Sequence, residues 1–373
     1  MNEFFKEKIL IWGAGKQSEL LYELLRVEGL LSNVVGIIDK AEEKWGNDWH
    51  GFIVSSPNLL DSVLYDRVVI SVWNWHSIFF ELSNHYGIDS NKIDNCAFIM
   101  RQRMLSFYHD LKQIPEDMQV PLDHIKKYPL DFINYDYVYD YYKRPIEIID
   151  ENNTGCYVAI LFGRRMYLPK SKLNTEEKAR NYVRSLMAEQ DEHSPHRYLS
   201  KDFELSDGAC ILDLGAAEGV FTLLNIDKIS KAYLVESDKE WIKALEFTFF
   251  DYKDKVDIIH GFVSDKDNGD CITIDNILKN KHVDFIKMDI EGAEIKALEG
   301  AKKTLTYQNI DIAVCTYHYP EDYERIYKLL NLYGYDDISN SDGYLTPIHY
   351  DMIDKTETIP RLSRGILRGH KNV

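Results

Sequence analysis

The sequence predicts an α/β protein made of two parallel-sheet modules joined by a mixed α+β connection. Three observations carry that expectation. Short apolar runs recur toward both ends of the chain, each bounded by turn residues. Stretches of helical periodicity alternate with them, the pattern of βα units whose strands lie parallel. Several runs end on an acidic residue, at the strand end where open α/β sheets bind ligands.

Taken in order, KILIW (8–12) reads as a buried strand, followed by Gly13-Ala14-Gly15 and a helix to about Glu28. VVGIID (34–39) is the next strand and ends on Asp39; RVVISVW (67–73) is another, before a helix with Ile78, Phe79 and Leu82 on one face. Residues 1–100 thus form a Rossmann-like first module. Residues 101–200 form the connection, with proline-punctuated segments and the tyrosine-rich YDYVYDYY (135–142), an amphipathic surface or interdomain helix. CYVAILFGRRMYLP (156–169) is a hairpin turning at Gly163, and NTEEKARNYVRSLMAEQ (174–190) is a helix capped by Asn174 or Thr175. The segment 191–198 leads into the second module, residues 201–373. There the strand ends come in sequence at Asp213, Glu236, the run 256–265, Asp289 and the run 310–318, with DDIS (336–339) and RGILRGH (364–370) as closing strands.

The chain has 373 residues, 45% of them hydrophobic and 28% charged, enough for a packed core in each module. Its formal charge of −17 disfavours nucleic acid or an anionic membrane as partner. No run of about 18 apolar residues could span a bilayer, and Lys6, Glu7 and Lys8 interrupt any signal core. The cysteines at 96, 156, 210, 271 and 315 form no CxxC pair, which argues against a disulfide framework or structural zinc and for a cytoplasmic protein. The 25 tyrosines leave sugar stacking or a homo-oligomer contact open.

Two segments carry the chemistry. ILDLGAAEGVF (211–221) is a strand ending on Asp213, then a small-residue turn, Gly215 to Gly219, that lets a ligand approach the backbone. Glu236 ends the following strand, placed to accept ribose hydroxyls. DFIKMDIEGAEIKALEGA (284–301) delivers Asp289 and Glu291 at a strand end, and Glu294 in the first helical turn. Two apart on an extended strand, Asp289 and Glu291 should point the same way.

These segments together resemble the FkbM family of S-adenosylmethionine (SAM)-dependent methyltransferases, over roughly residues 190–320. The resemblance implies that the second module has the class I SAM-dependent methyltransferase fold and O-methylates a sugar or polyketide hydroxyl. The implied donor site comprises Asp213, Gly215, Ala216, Glu218, Gly219, Glu236, Ser237, Ser264, Asp265 and Asp289, with Ser264 and Asp265 at the adenine edge. A hydroxyl is a poor nucleophile, so the acceptor side needs a base or a metal. His318 is the expected base, neutral and poised near pH 7. Asp289 and Glu291 are the expected ligands if Mg²⁺ takes part. His196, Arg197, Tyr198, Glu294 and Tyr317 are expected to face the acceptor, and Arg164, Arg165, Arg361, Arg364 and Arg368 could meet a substrate diphosphate.

GAGKQS (13–18) is a partial dinucleotide fingerprint with Ser18 in place of the third glycine. This part resembles N-terminal domains of nucleotide-sugar and polysaccharide enzymes, which points the acceptor toward a nucleotide-linked sugar in capsule or O-antigen synthesis. The competing functions are an NAD-dependent nucleotide-sugar oxidoreductase or epimerase, and a non-catalytic nucleotide-sugar-binding protein. The first would need a Tyr-x-x-x-Lys pair, and residues 1–100 contain none.

Overall fold

The structure is a computed structural model that describes residues 6–347 and 361–371; the first five residues of the N-terminal segment lie outside them. The chain divides into two compact units, Met1–Asp136 with Thr346–Leu362, and Tyr137–Leu345 with Ser363–Val373. The division falls inside the stretch 101–200, so its first helices belong to one unit and its hairpin to the other.

The first unit contains β1 (Ile9–Trp12), α1 (Lys16–Val27), β2 (Val34–Ile38), β3 (Asp48–Trp49), β4 (Phe52–Ser55), β5 (Arg67–Ile70), α2 (Trp75–Asn84), β6 (Ile93–Asn95), α3 (Phe98–His109) and α4 (Glu116–Lys127). Its six-stranded sheet has the order β3-β4-β2-β1-β5-β6, parallel except for the β3–β4 hairpin. Both β1 and β5 are buried along their whole length, which is why they read as unbroken apolar runs.

The second unit opens with α5 (Tyr137–Lys143), then β7 (Ile148–Glu151), β8 (Cys156–Leu161), β9 (Arg164–Pro169) and α6 (Glu176–Glu189). The tyrosines of α5 are packed rather than displayed: Val138, Tyr139 and Tyr141 are buried, and Tyr141 donates to Asp191 at 2.6 Å. The β8–β9 hairpin turns through Phe162 and Gly163, both at positive φ, as a two-residue turn requires. The strand β7 completes a three-stranded antiparallel sheet that sequence periodicity did not show. Thr175 caps α6 by accepting from the Lys178 N–H.

The main body then runs β10 (Ala209–Leu214), α7 (Val220–Asn225), β11 (Ile229–Glu236), α8 (Lys239–Thr248), β12 (Val256–His260), β13 (Phe262–Val263), β14 (Cys271–Ile272), α9 (Ile274–Ile277), β15 (Phe285–Met288), α10 (Glu294–Glu299), α11 (Lys302–Tyr307), β16 (Asp311–Cys315), α12 (Asp322–Leu332), β17 (Asp337–Asn340) and β18 (Ile366–His370). Its seven strands lie in the order β12-β11-β10-β15-β16-β18-β17, with β18 alone antiparallel to its neighbours. This is the class I methyltransferase fold expected from the sequence. Alternate residues feed two cores: Ile211, Leu234, Phe285 and Ala313 pack on one face with the hairpin and α6, while Leu212, Val235, Ile286 and Val314 pack on the other with α9 to α12. Each of these side chains except Ala313 contributes roughly 1.5–3 kcal/mol by burial.

The run 256–265 is not one strand. The chain leaves the sheet at Gly261, where a Cβ would sit 3.2 Å from the Asp270 carbonyl, and β13 pairs with β14 instead. Strand order reverses between β10 and β15, so their carboxyl ends frame a crevice, the usual ligand position in such sheets. No helix among the described residues is long and apolar enough to cross a membrane.

Candidate functional site

The turn after β10 is held by close approach. Gly215 has φ +71°, and a Cβ there would lie 1.8 Å from the Asp289 backbone oxygen; at Gly219, φ +79°, it would meet the Phe249 ring at 2.6 Å. Both glycines are therefore required by the fold. Between them, Ala216 is buried and Ala217 takes φ +47°, an uncommon conformation for a residue with a Cβ. Glu236 fixes that turn. Its Oε2 accepts from the Ala217 N–H at 2.9 Å, and its Oε1 accepts from the Ser237 and Asp238 N–H groups, both at 2.8 Å. One acceptor position remains on Oε2.

Asp213 does not face the crevice. It is fully buried, accepts from the Thr222 hydroxyl at 2.7 Å, and lies 3.2 Å from the Lys287 ammonium. Lys287, in the middle of β15, also donates to the Gly215 carbonyl at 2.7 Å. Burial alone would loosen the Lys287 proton, but the charges of Asp213 and Asp289 outweigh it and bind the proton more tightly than in ordinary lysine. Sequence reading missed this residue. The available signal was a lysine inside a strand buried on both faces, which demands a carboxylate partner. Glu218 is also buried: it accepts from Tyr182 of α6 at 2.7 Å, and burial pushes its carboxyl up.

Asp289 gathers the acceptor side. Its Oδ2 accepts from Tyr198 at 2.7 Å and lies 3.5 Å from His196 Nε2, whose ring is in turn 2.9 Å from the Tyr317 hydroxyl. Burial disfavours its charge, yet the hydrogen bond from His196 and the charges of Lys287, His196 and His318 hold the carboxyl well below the usual range. His318, just beyond β16, lies between three carboxylates: Glu294 Oε1 at 3.2 Å from Nδ1, and Asp289 and Glu291 at 3.6 and 3.7 Å from Nε2. Burial lowers its affinity for a proton, but the hydrogen bond to Glu294 and the three charges raise it above that of ordinary histidine. The expectation of a neutral imidazole poised near pH 7 gives way to one held toward the charged form.

The extended geometry assumed for Asp289 and Glu291 also fails. The strand ends at Met288 and Glu291 has φ +56°, so its side chain is 94% exposed at the edge of the cluster. Glu294 replaces it: fully buried, it accepts from the Ile290 N–H at 2.9 Å and faces His318, while its Oε2 has no hydrogen bond among the described residues. Two groups among the described residues are close enough to share an ion, His196 with Asp289 and Cys315, and Asp289 with Glu294 and His318. Neither fits Mg²⁺, which takes oxygen ligands and keeps several waters. The charge of Asp289 is already offset by Lys287.

Arg368 is buried and donates to the Arg197 and Tyr198 carbonyls at 2.7 and 2.9 Å, fixing the segment that carries His196 and Tyr198. Arg164 and Arg165 pair with Asp227 and Glu151; the Arg364 guanidinium lies 4.0 Å over the Tyr344 ring and that of Arg361 5.3 Å over Phe107. Ser264 and Asp265 follow β13, hydrogen-bonded to each other at 3.2 Å, and no hydrogen bond or ion pair among the described residues ties them to Glu236.

Comparisons with known proteins bear on the same residues. No curated protein matches the chain. Among solved structures, a methyltransferase FkbM from Methylobacillus flagellatus KT is similar at 15% identity and TM-score 0.48, over 98% of this chain and 90% of that one. A precorrin-6y C5,15-methyltransferase from Geobacter metallireducens GS-15 is similar at 10% identity and TM-score 0.33, over 45% and 83%. M. jannaschii TYW2, solved in complex with AdoMet, is similar at 12% identity and TM-score 0.33, over 61% and 94%. Residues 5–94 match the family described as C2185-like, N-terminal. Residues 206–336, which span the glycine turn, Glu236, Asp289 and His318, match the family model of the methyltransferase FkbM domain.

Proposed function

We propose that the second unit transfers a methyl group from SAM to a carbohydrate hydroxyl, with His318 receiving the acceptor's proton. One observation carries the reading: Asp289 joins both halves of the site, its backbone pressed against Gly215 and its carboxylate facing His318. The free acceptor position on Glu236 Oε2 suits a ribose hydroxyl, and the ionised Asp289 suits a cationic donor. The Gly215–Gly219 turn and Glu236 would hold SAM there, and it would supply an electrophilic methyl carbon to the acceptor oxygen and leave as S-adenosylhomocysteine.

His318 takes the hydroxyl proton at Nε2, while Glu294 holds Nδ1 and stabilises the imidazolium that forms. The base must start neutral, so its raised proton affinity places the acid limb of the rate profile above the ordinary histidine range. Tyr319 supports a sugar acceptor: its half-exposed ring lies over Gly292, where a Cβ would meet it at 2.4 Å, and an aromatic face suits the C–H surface of a sugar ring. A nucleotide-linked sugar of bacterial surface-polysaccharide assembly is the acceptor class that the sequence resemblance favours.

The test is incubation with SAM and a panel of nucleotide sugars, followed by mass spectrometry for a gain of one methylene. Replacing His318 with alanine should lower turnover by about 10²–10⁴-fold while S-adenosylhomocysteine still binds. Undiminished turnover in His318→Ala would remove the base from the mechanism.

A further inference from the structure

We infer that the acceptor is an amino sugar, held by its ammonium group so that a neighbouring hydroxyl meets His318. The inference rests on the methyl-transfer reading and names the substrate class of the same site. It begins with Glu291, whose φ of +56° is a left-handed conformation that disfavours a residue with a Cβ. Glycine or asparagine would fill that turn more readily. Nothing within the described chain accounts for a glutamate there. Its carboxylate makes no hydrogen bond among the described residues, has His318 Nε2 at 3.7 Å, and belongs to a side chain that is 94% exposed. A carboxylate held out at the mouth of the site suits a ligand of opposite charge.

The surroundings repeat its sign. Asp289 lies 3.6 Å from the same nitrogen of His318, and Glu189, at the end of α6, lies 3.7 Å from His196 Nδ1. Burial tightens the protons of the Tyr182 and Tyr317 hydroxyls, and the charges of Glu189 and Glu291 add to that in both, which places the two acids around one space. Among the described residues, Asp289, Glu291 and Glu294 form ion pairs with imidazoles alone. Glu294 is wholly buried, and its Oε2 accepts no hydrogen bond among the described residues. Lys287 offsets Asp289 from beneath but is shared with Asp213. Negative charge is therefore left over in front of His318, and an ammonium would balance it. The Tyr319 ring, against Gly292 and so beside Glu291, adds an aromatic face that attracts an ammonium as well as it suits a sugar.

A phosphate finds no such reception. Arg164, Arg165, Arg364 and Arg368 are taken up by Asp227, Glu151, the Gly343 carbonyl and the Arg197 and Tyr198 carbonyls. The sugar is therefore read by its amine. A protonated amine has no lone pair to attack the methyl carbon, so it orients the ring. The hydroxyl beside it bonds to that carbon and gives its proton to His318 Nε2.

Steady-state kinetics of the full chain with SAM test this on sets of UDP-hexoses that differ at one carbon, bearing there an amine, an acetamido or a hydroxyl group. A UDP-uronate completes the panel. The amine member should lead the hydroxyl member in kcat/KM by about fivefold or more, mainly through KM, with less advantage at high salt. Nuclear magnetic resonance should place the new methyl on oxygen. Glu291→Gln should bring the two members within about twofold of each other, while S-adenosylhomocysteine binds as before. Equal turnover of the amine and acetamido members, preference for the uronate, a lead kept in Glu291→Gln or methylation on nitrogen would each overturn the inference. So would a panel left unmethylated by protein that binds S-adenosylhomocysteine, which spares the donor site; failure to bind it would remove the methyl-transfer reading as well.

Discussion

The glycine turns that follow β1 and β10 are built on one backbone plan and finished differently. In each, the acid ending the second strand accepts an N–H from the turn, Asp39 from Ala14 and Glu236 from Ala217. In each, a neighbouring strand donates to the carbonyl of the first glycine, Ser71 to Gly13 and Lys287 to Gly215, both at 2.7 Å. The first unit uses a neutral hydroxyl there and a lysine, Lys44, on its acid. The second buries a lysine beneath its turn and leaves its acid with three backbone N–H groups and the Ser237 hydroxyl as donors, none of them charged. Charge has moved from beside the ligand carboxylate to beneath the loop, so the second turn keeps an acceptor position for a ribose and the first does not. The backbone plan alone does not separate the two functions.

The largest expected difference lies in stability. Lys287→Met leaves Asp213 buried without a cation and should cost about 3–5 kcal/mol, whereas Ser71→Ala should cost about 1–3 kcal/mol. Chemical denaturation of both variants decides it, and equal costs would break the comparison. The proton of Lys287 is bound more tightly in the folded chain, so its contribution is complete below about pH 10.4 and is lost as pH rises through the folded value. The low-lying carboxyl of Asp289 behaves oppositely: its contribution is present above about pH 3.9 and is lost as pH falls through the folded value.

Next in size is the response of the two acids to losing one oxygen. Glu236→Gln must turn its NH₂ toward a backbone N–H, and should weaken S-adenosylhomocysteine binding by about tenfold or more, roughly 1.4 kcal/mol. Asp39→Asn should leave that affinity untouched. Titration of both variants sharpens the contrast, and a shared loss would mean that the acids act through general stability.

A smaller effect concerns His318. Glu294→Gln keeps an oxygen for both the Ile290 N–H and His318 but removes the charge, so the acid limb of the pH–rate profile should move to lower pH. A limb that stays put would show that Glu294 does not set the proton affinity of His318. Smallest of all, Lys44→Met should change stability by no more than about 1 kcal/mol, since the pair is partly solvated.

Much of this was legible in the sequence. Strands buried on both faces read as apolar runs, and their ends placed Asp213, Glu236 and Asp289 correctly along the chain. Side-chain direction was less legible. Asp213 faces inward toward Lys287, whose place inside a buried strand is the one sequence signal of that pairing. Glu291 and Glu294 exchanged places because the left-handed turn at Glu291 ends the two-residue alternation, and a backbone dihedral is not written in a residue's charge. The segment 256–265 carries apolar residues on both sides of Gly261 and reads as one strand, yet the chain leaves the sheet at Gly261 and β13 pairs with β14, a change of partner that residue type does not encode. The neutrality expected of His318 overlooked three carboxylates that only the fold brings together.

The most direct test of the central claim is calorimetric titration of the full chain with S-adenosylhomocysteine. Binding at one site with a Kd in about the micromolar range, preserved in Asp39→Asn and weakened in Glu236→Gln, is the result expected of a donor site at the Gly215–Gly219 turn. No binding by well-folded protein, or binding weakened by Asp39→Asn instead, would contradict it.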